Sequence, residues 1–249
     1  MENKFKKFIS EEIYKKEFAK GKIHFSDRDG MLYKAWGHVF TSHLVGDYVE
    51  FGVYRGDSLV KSFRNYELFR QWLEEQQSSS EIWRREVAKN YIDCEKHYFH
   101  GLDTFEGMPC NEEENATFQE GTFLADFHKV ENYCNENNLI TNSQLFLYKG
   151  LFSHTACELQ KNLIDRKICI LNIDSDLYES AKDALEIAAP YLDIGSVLMF
   201  DDYNAFSANN EKGERRAFKE FQCKNKLLWE SWQAYHFSGQ SFLCVGKKS

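Results

Sequence analysis

The sequence predicts an open α/β fold, a mostly parallel sheet flanked by helices, and three observations carry that expectation. Apolar, β-prone runs recur along the chain and several end in an acid or a glycine turn. Apolar residues at helical spacing fill the intervals between them. Only two prolines, Pro109 and Pro190, interrupt the 249 residues, which argues against disordered linkers. Strand–helix–strand connections are right-handed, so the C-terminal ends of all the parallel strands fall on one edge of the sheet, where such folds bind ligands.

The elements follow in order. Residues 1–45 read as a helical cap, and the opening "MENKFKKFISEEIYKKEFAK" mixes charged with apolar residues and lacks the unbroken apolar core of a signal peptide. "GDYVEFGVYRG" is a first strand running into a glycine turn, "HYFHGLDTFEG" a second ending in Asp103, and "QLFLYKGLF" a third. "ICILNIDSDLYES" and "SVLMFDDY" are the fourth and fifth, and both run an apolar strand straight into acids: Asp174 and Asp176, then Asp201 and Asp202. Between those two, Ala181, Ala184, Leu185 and Ala188 make one helix face; Phe127, Val130 and Cys134 mark a helix after Asp126, and Ala217, Phe218 and Phe221 one after Glu214. "LLWESWQAYHFSGQSFLCVGKK" reads as a closing hairpin. An insertion, about 65–96, precedes the second strand. In it Ser78 and Glu81 suit a capping box, and Trp83, Val87 and Tyr91 repeat at four, as in a helical hairpin with exposed aromatics. That hairpin serves as a flank cover, a substrate lid or a contact between copies in a homo-oligomer. The expected organisation is one main domain, 46–249, with the cap in front.

Composition narrows the function. A hydrophobic content of 43% supplies a full core. A net charge of −8 disfavours nucleic acid, whose binding rests on clustered Lys and Arg; the basic "NKFKKF" reads as a solvated helix end. Seven scattered cysteines without a C-x-x-C pair indicate neither zinc nor a disulfide framework, and read as reduced thiols in a cytoplasmic protein. No run approaches the roughly 20 apolar residues of a membrane span.

The loop after the first strand holds Glu50, Gly52 and Gly56 as E-x-G-x-x-x-G. Glycine admits a sharp turn and a close backbone approach to a ligand, although a plain strand-to-helix turn would look the same. It is not the G-x-G-x-x-G of dinucleotide binders. Asp103, one strand on, is placed to accept hydroxyls of a ribose lying over that loop.

Six motifs, "GDYVEFGVYRG", "GLDTFEGMP", "LYKGLF", "IDSDLYES", "GSVLMFDDY" and "GERRAFKEF", together resemble the class I S-adenosylmethionine-dependent methyltransferases, and within them the macrocin O-methyltransferase-like family that methylates sugar hydroxyls. The resemblance runs from about Gly46 to Phe221. It implies a Rossmann-like sheet with an antiparallel last strand. It also implies a cofactor set of Glu50, Gly52, Gly56, Ser58, Asp103, Thr104, Gly150 and Asp174, and Mg²⁺ or another divalent cation on Asp174, Asp201 and Asp202. Clustered carboxylates repel unless a cation joins them, and Mg²⁺ takes hard oxygen ligands while leaving positions for a substrate. The acceptor so implied is a sugar or a sugar-containing small molecule.

The family's histidine base is expected shortly before the helix that follows Asp126, yet "NEEENATFQEGTFLAD" contains none. His154, just past the third strand, is the substitute expected from position, and His128 should face solvent. Asp176 reads either as a ligand or as a helix cap. Two rival readings stay open: a metal-dependent glycosyltransferase using Asp174-Ser175-Asp176 as D-x-D, and a methyltransferase fold kept as a non-catalytic binding module.

Overall fold

The computed structural model describes residues 27–92, 96–112 and 117–248. Most of the expected N-terminal cap, residues 1–26, lies outside these. The described elements are α1 (Arg28–Thr41), β1 (Asp47–Phe51), α2 (Asp57–Gln77), α3 (Ile82–Ile92), β2 (Phe99–Asp103), α4 (Phe127–Glu136), β3 (Leu145–Lys149), α5 (Phe152–Asn162), β4 (Ile168–Ile173), α6 (Tyr178–Ala188), β5 (Val197–Phe200), α7 (Gly213–Lys224), β6 (Leu227–Tyr235) and β7 (Gly239–Lys247). The strands form one sheet in the order β3-β2-β1-β4-β5-β7-β6. Strands β1 to β5 pair in parallel, and β7 inserts antiparallel between β5 and β6.

Period-two alternation along each central strand feeds two cores. Tyr48 and Ile170 face one side and pack with Trp36, Leu59 and Val130 of α1, α2 and α4. Val49, Phe51, Leu171 and Ile173 face the other and pack with Leu159, Ala181, Leu185 and Phe218 of α5, α6 and α7. The first core centres on Trp36, whose ring lies 5.1–6.5 Å from those of Tyr48, Tyr66, His97, Phe99 and Phe40, and whose Nε1 donates to Ser62 Oγ at 2.9 Å. The described part of the N-terminal cap is therefore built into the main core.

The helix after β1 does not stop near residue 65. It runs unbroken for 21 residues to Gln77, because Phe63, Tyr66, Phe69, Trp72 and Leu73 continue one buried face. The expected insertion thus begins inside α2. Ser78 is the C-cap of that helix rather than the start of a capping box, and Ser79 Oγ instead accepts from the Glu81 backbone N–H at 3.2 Å. Helix α3 returns along α2 as a helical hairpin with Ile82 and Trp83 exposed. The side chains of Val87 and Tyr91 lie outside the described residues.

At the sheet edge opposite the acids, Asp47 is fully buried and takes both Nε and Nη2 of Arg166 at 2.7 Å, with His100 Nε2 at 3.3 Å. Burial works against its charge, but the hydrogen bonds from His100 and Arg166 hold its carboxyl below the usual range. No helix among the described residues is long and apolar enough to cross a membrane. Cys110, Cys134, Cys157, Cys169, Cys223 and Cys244 are free thiols.

Candidate active site

Register explains why the acids meet. Phe51 lies beside both Leu102 and Ile173, and Ile173 beside Phe200. Ladder hydrogen bonds extend one residue further: Gly52 N–H to Leu102 O, Asp174 N–H to Phe51 O, and Asp201 N–H to Ile173 O, at 2.8–3.0 Å. Gly52, Asp103, Asp174 and Asp201 are thereby set side by side on the C-terminal edge. They line a cleft of about 590 Å³. The loop after β2 forms one wall, with Tyr54 against Phe123 at 5.7 Å and Phe118 against Phe206 at 5.5 Å.

The glycine loop occupies one end of the cleft. Gly52 has φ of 92°, and a Cβ there would overlap the Asp174 carbonyl oxygen, so only glycine lets β1 and β4 end this close together. Ser58 and Thr104 also line the cleft. Asp103 has a task beyond the expected ribose contact. Its Oδ2 accepts from the Val53 and Tyr54 backbone N–H groups at 2.8 Å, and its Oδ1 from Phe105 N–H at 2.7 Å. A carboxylate has about four acceptor positions, so about one remains for a ligand. Asp103 ties the glycine loop to β2 before it touches anything else.

Three residues of the expected cofactor set stand behind the wall. Gly56, in the left-handed region at φ 84°, is the N-cap of α2 and packs on Val130 and Cys134. Gly150 is likewise left-handed, beside Thr155. Glu50 is fully buried and accepts from Tyr48 Oη, Ser58 Oγ at 2.7 Å and Asn172 Nδ2 at 3.0 Å, so it braces Ser58 from beneath. Burial pushes its carboxyl up to about 7; those hydrogen bonds oppose the shift and the Asp174 charge adds to it. The folded pKa lies above the ordinary 4.5 of the group. The fold's preference for protonated Glu50 is therefore complete below that value and is lost as pH rises towards 7. Glu50→Gln keeps the shape without the ionisation. Its stability relative to wild type should climb between about pH 5 and pH 8, by about 3 kcal/mol at the upper end. Melts across that range check this, and parallel curves for the two proteins would refute it.

The other end is acidic. Asp174, Asp201 and Asp202 each offer an oxygen, all within 4.8 Å of one another, a hard donor set that fits a divalent cation. A cation already lies among them. Arg28, from the first turn of α1, donates Nε to Asp201 Oδ1 at 2.7 Å and Nη2 to Asp201 Oδ2, and its Nη1 lies 2.9 Å from Asp174 Oδ2. Asp176 is not a helix cap: it is buried at φ 60° one residue before the N-cap Leu177 and shares a hydrogen bond with Asp202. Burial, then Asp202, raise it well above the usual carboxylate range. Glu214, buried in the first turn of α7, is raised for the same two reasons. Its Oε2 accepts from Asp202 N–H at 3.0 Å and its Oε1 has no partner.

His154 does not join them. Helix α5 buries Thr155 and Leu159, which turns His154 outward to solvent, away from the cleft wall. His128 is exposed as expected. The histidine at the acids is His236, in the turn between β6 and β7. Its Nε2 donates to Asp201 Oδ1 at 2.8 Å, and its Nδ1 accepts from Ser238 N–H at 3.2 Å. Burial first, then Arg28, lower its pKa, so the neutral ring makes this bond as a hydrogen bond and not as an ion pair. With both nitrogens engaged, His236 orients Asp201.

The macrocin-O-methyltransferase (TylF) family model matches residues 84–230. The chain belongs to this family. The matched stretch carries Asp103, Asp174, Asp176, Asp201, Asp202 and Glu214, while the glycine loop precedes it. A curated relative, 8-demethyl-8-(2,3-dimethoxy-alpha-L-rhamnosyl)-tetracenomycin-C 4'-O-methyltransferase from Streptomyces olivaceus, is 27% identical over 173 residues, 66% of this chain. The match spans 56% of that relative, little more than half its length. Two solved structures share the fold. The O-methyltransferase NovP has a TM-score of 0.60 and 20% identity, over 88% of this chain and 80% of its own. CalS11, calicheamicin methyltransferase, has a TM-score of 0.62 and 19% identity, over 97% and 93%. The Rossmann-like methyltransferase sheet of this family is thus the fold observed, with its antiparallel β7.

Proposed function

We propose that this chain is an S-adenosylmethionine-dependent, metal-assisted O-methyltransferase acting on a hydroxyl of a sugar or sugar-containing small molecule. One observation carries the reading: a single cleft joins a glycine loop tied to Asp103 at one end with Asp174, Asp201 and Asp202 at the other. The rhamnosyl O-methyltransferase relative supports a sugar as acceptor. The match to a methyltransferase family weighs against the D-x-D glycosyltransferase reading, in which Asp174 and Asp176 would hold a sugar nucleotide.

In this reading Gly52, Ser58, Asp103 and Thr104 hold S-adenosylmethionine, which supplies the electrophilic methyl group. Asp174, Asp201 and Asp202 would hold the divalent cation, which polarises the acceptor hydroxyl and lowers its pKa. The chain's own contribution is positioning. Asp103 keeps the glycine loop in place, His236 orients Asp201, and Tyr54, Phe118 and Phe123 line the cleft as an aromatic wall.

Methyl transfer from labelled S-adenosylmethionine to a panel of rhamnosides, other deoxysugar glycosides and nucleotide-linked sugars tests the activity. Absence of S-adenosylhomocysteine binding in calorimetry would sink it outright. Asp103→Ala should weaken that binding by about 1.5–3 kcal/mol, the scale of lost charge-assisted hydrogen bonds. Unaltered affinity would remove Asp103 from the cofactor site.

A further inference from the structure

The acidic end of the cleft gathers Asp174, Asp201 and Asp202, and the described residues show which cation lies among them. Arg28 takes both oxygens of Asp201 with Nε and Nη2 and reaches Asp174 with Nη1. This is the planar two-pronged grip by which arginine matches a carboxylate. Asp201 Oδ1 also accepts from His236, so little free acceptor capacity remains on Asp201. The other arginine lining the cleft, Arg55, stacks over Tyr54 instead, 4.8 Å from the ring centre.

A divalent cation on Asp174, Asp201 and Asp202 needs the same lone pairs, at about 2.0–2.1 Å for Mg²⁺. A two-pronged guanidinium and a metal ion compete for the Asp201 oxygens, three of whose roughly four acceptor positions Arg28 and His236 already take. The body of α1 does not have to move for an exchange, and it is fastened by Met31, Leu32 and Trp36, all fully buried. The Arg28 side chain, by contrast, is 25% exposed and has room to swing towards the cleft.

We infer that Arg28 is the resident counter-ion of the acidic site and that it and a divalent cation occupy Asp201 in turn. The inference rests on the metal-assisted reading above and adds a cost to it: metal binds only the fraction of molecules from which Arg28 has withdrawn. Arg28 thereby acts as a positioning residue that sets metal affinity and keeps the acids neutralised when no metal is bound.

The test uses the full chain. Mn²⁺ binding is measured by electron paramagnetic resonance of the free ion for wild type, Arg28→Gln and Arg28→Lys, with S-adenosylhomocysteine calorimetry on the same samples. Arg28→Gln should bind Mn²⁺ at least ~10-fold more tightly than wild type, because the competing state is removed. Arg28→Lys, which keeps the charge but not the fork, should fall between the two. Equal or weaker Mn²⁺ binding by Arg28→Gln, with S-adenosylhomocysteine binding intact, overturns the inference and leaves the metal-assisted reading standing. If neither protein takes up Mn²⁺ while both bind S-adenosylhomocysteine, the metal reading fails and the inference fails with it. A measurement on wild type guards against a variant that does not fold: the Arg28 Nε–H resonance, assigned by its loss in Arg28→Lys or by selective labelling, should shift on adding Mg²⁺. A resonance that stays fixed at saturating Mg²⁺ overturns the exchange.

Discussion

Asp201→Asn should lower methyl-transfer turnover by at least about a hundredfold while leaving S-adenosylhomocysteine affinity nearly unchanged. Asp201 is the hinge of the acidic end: it binds Arg28 and His236 and lies within ligand distance of Asp174 and Asp202. Asparagine replaces one of its oxygens with an amide that points hydrogens at a cation. The glycine loop, two strands over beyond β4, is untouched by the change, so cofactor binding should survive it. Excess EDTA should bring wild type down to a comparable rate, and Mg²⁺ should restore it. Turnover that withstands both the substitution and the chelator would disprove metal assistance.

Gly52→Ala should abolish S-adenosylhomocysteine binding and destabilise the fold by about 3 kcal/mol or more. The residue sits at φ 92°, where a side chain is strained, and the new methyl would overlap the Asp174 carbonyl. The overlap is with backbone, so a rotamer change elsewhere cannot relieve it. Gly56→Ala is the natural comparison. Its φ of 84° is equally left-handed, but its Cβ would meet side chains rather than backbone: Val130 at 3.2 Å, Cys134 at 3.3 Å and Tyr133 at 3.6 Å. It should therefore lose less stability and retain measurable cofactor affinity. Thermal melts and calorimetry on the pair check the ranking, and a milder Gly52 variant would show that the β1 and β4 ends can part.

The sheet and its working edge were legible because each strand announces itself as an apolar run and because parallel connections put the acids at the same end. Asp174, Asp201 and Asp202 follow directly from that, as does the position of Gly52. The acids' partners were not legible. Arg28 lies in "FSDRDG", which carries no pattern of its own, and it meets Asp201 173 positions later. His236 sits in a hairpin turn, where neither helical nor strand periodicity aims a side chain. His154 was misplaced by helical phase, since the burial of Thr155 and Leu159, invisible in a list of motifs, turns it outward. No boundary falls near residue 65, because the apolar face of α2 continues to Leu73. Asp103, expected to be free for a ligand, spends most of its acceptor capacity on backbone, which only the fold reveals.

The span between Arg28 and Asp201 has a consequence for how the protein comes into being. Synthesis proceeds from the N-terminus, so α1 and the glycine loop leave the ribosome long before the acid that Arg28 grips, and His236 follows Asp201 by 35 more residues. The tie between the glycine loop and Asp103 can form on the nascent chain once β2 has joined β1. The acidic end cannot. Its charges stay uncompensated until β5 has joined β4 and the final hairpin has laid β7 against β5, which makes this pocket one of the last parts of the molecule to be completed.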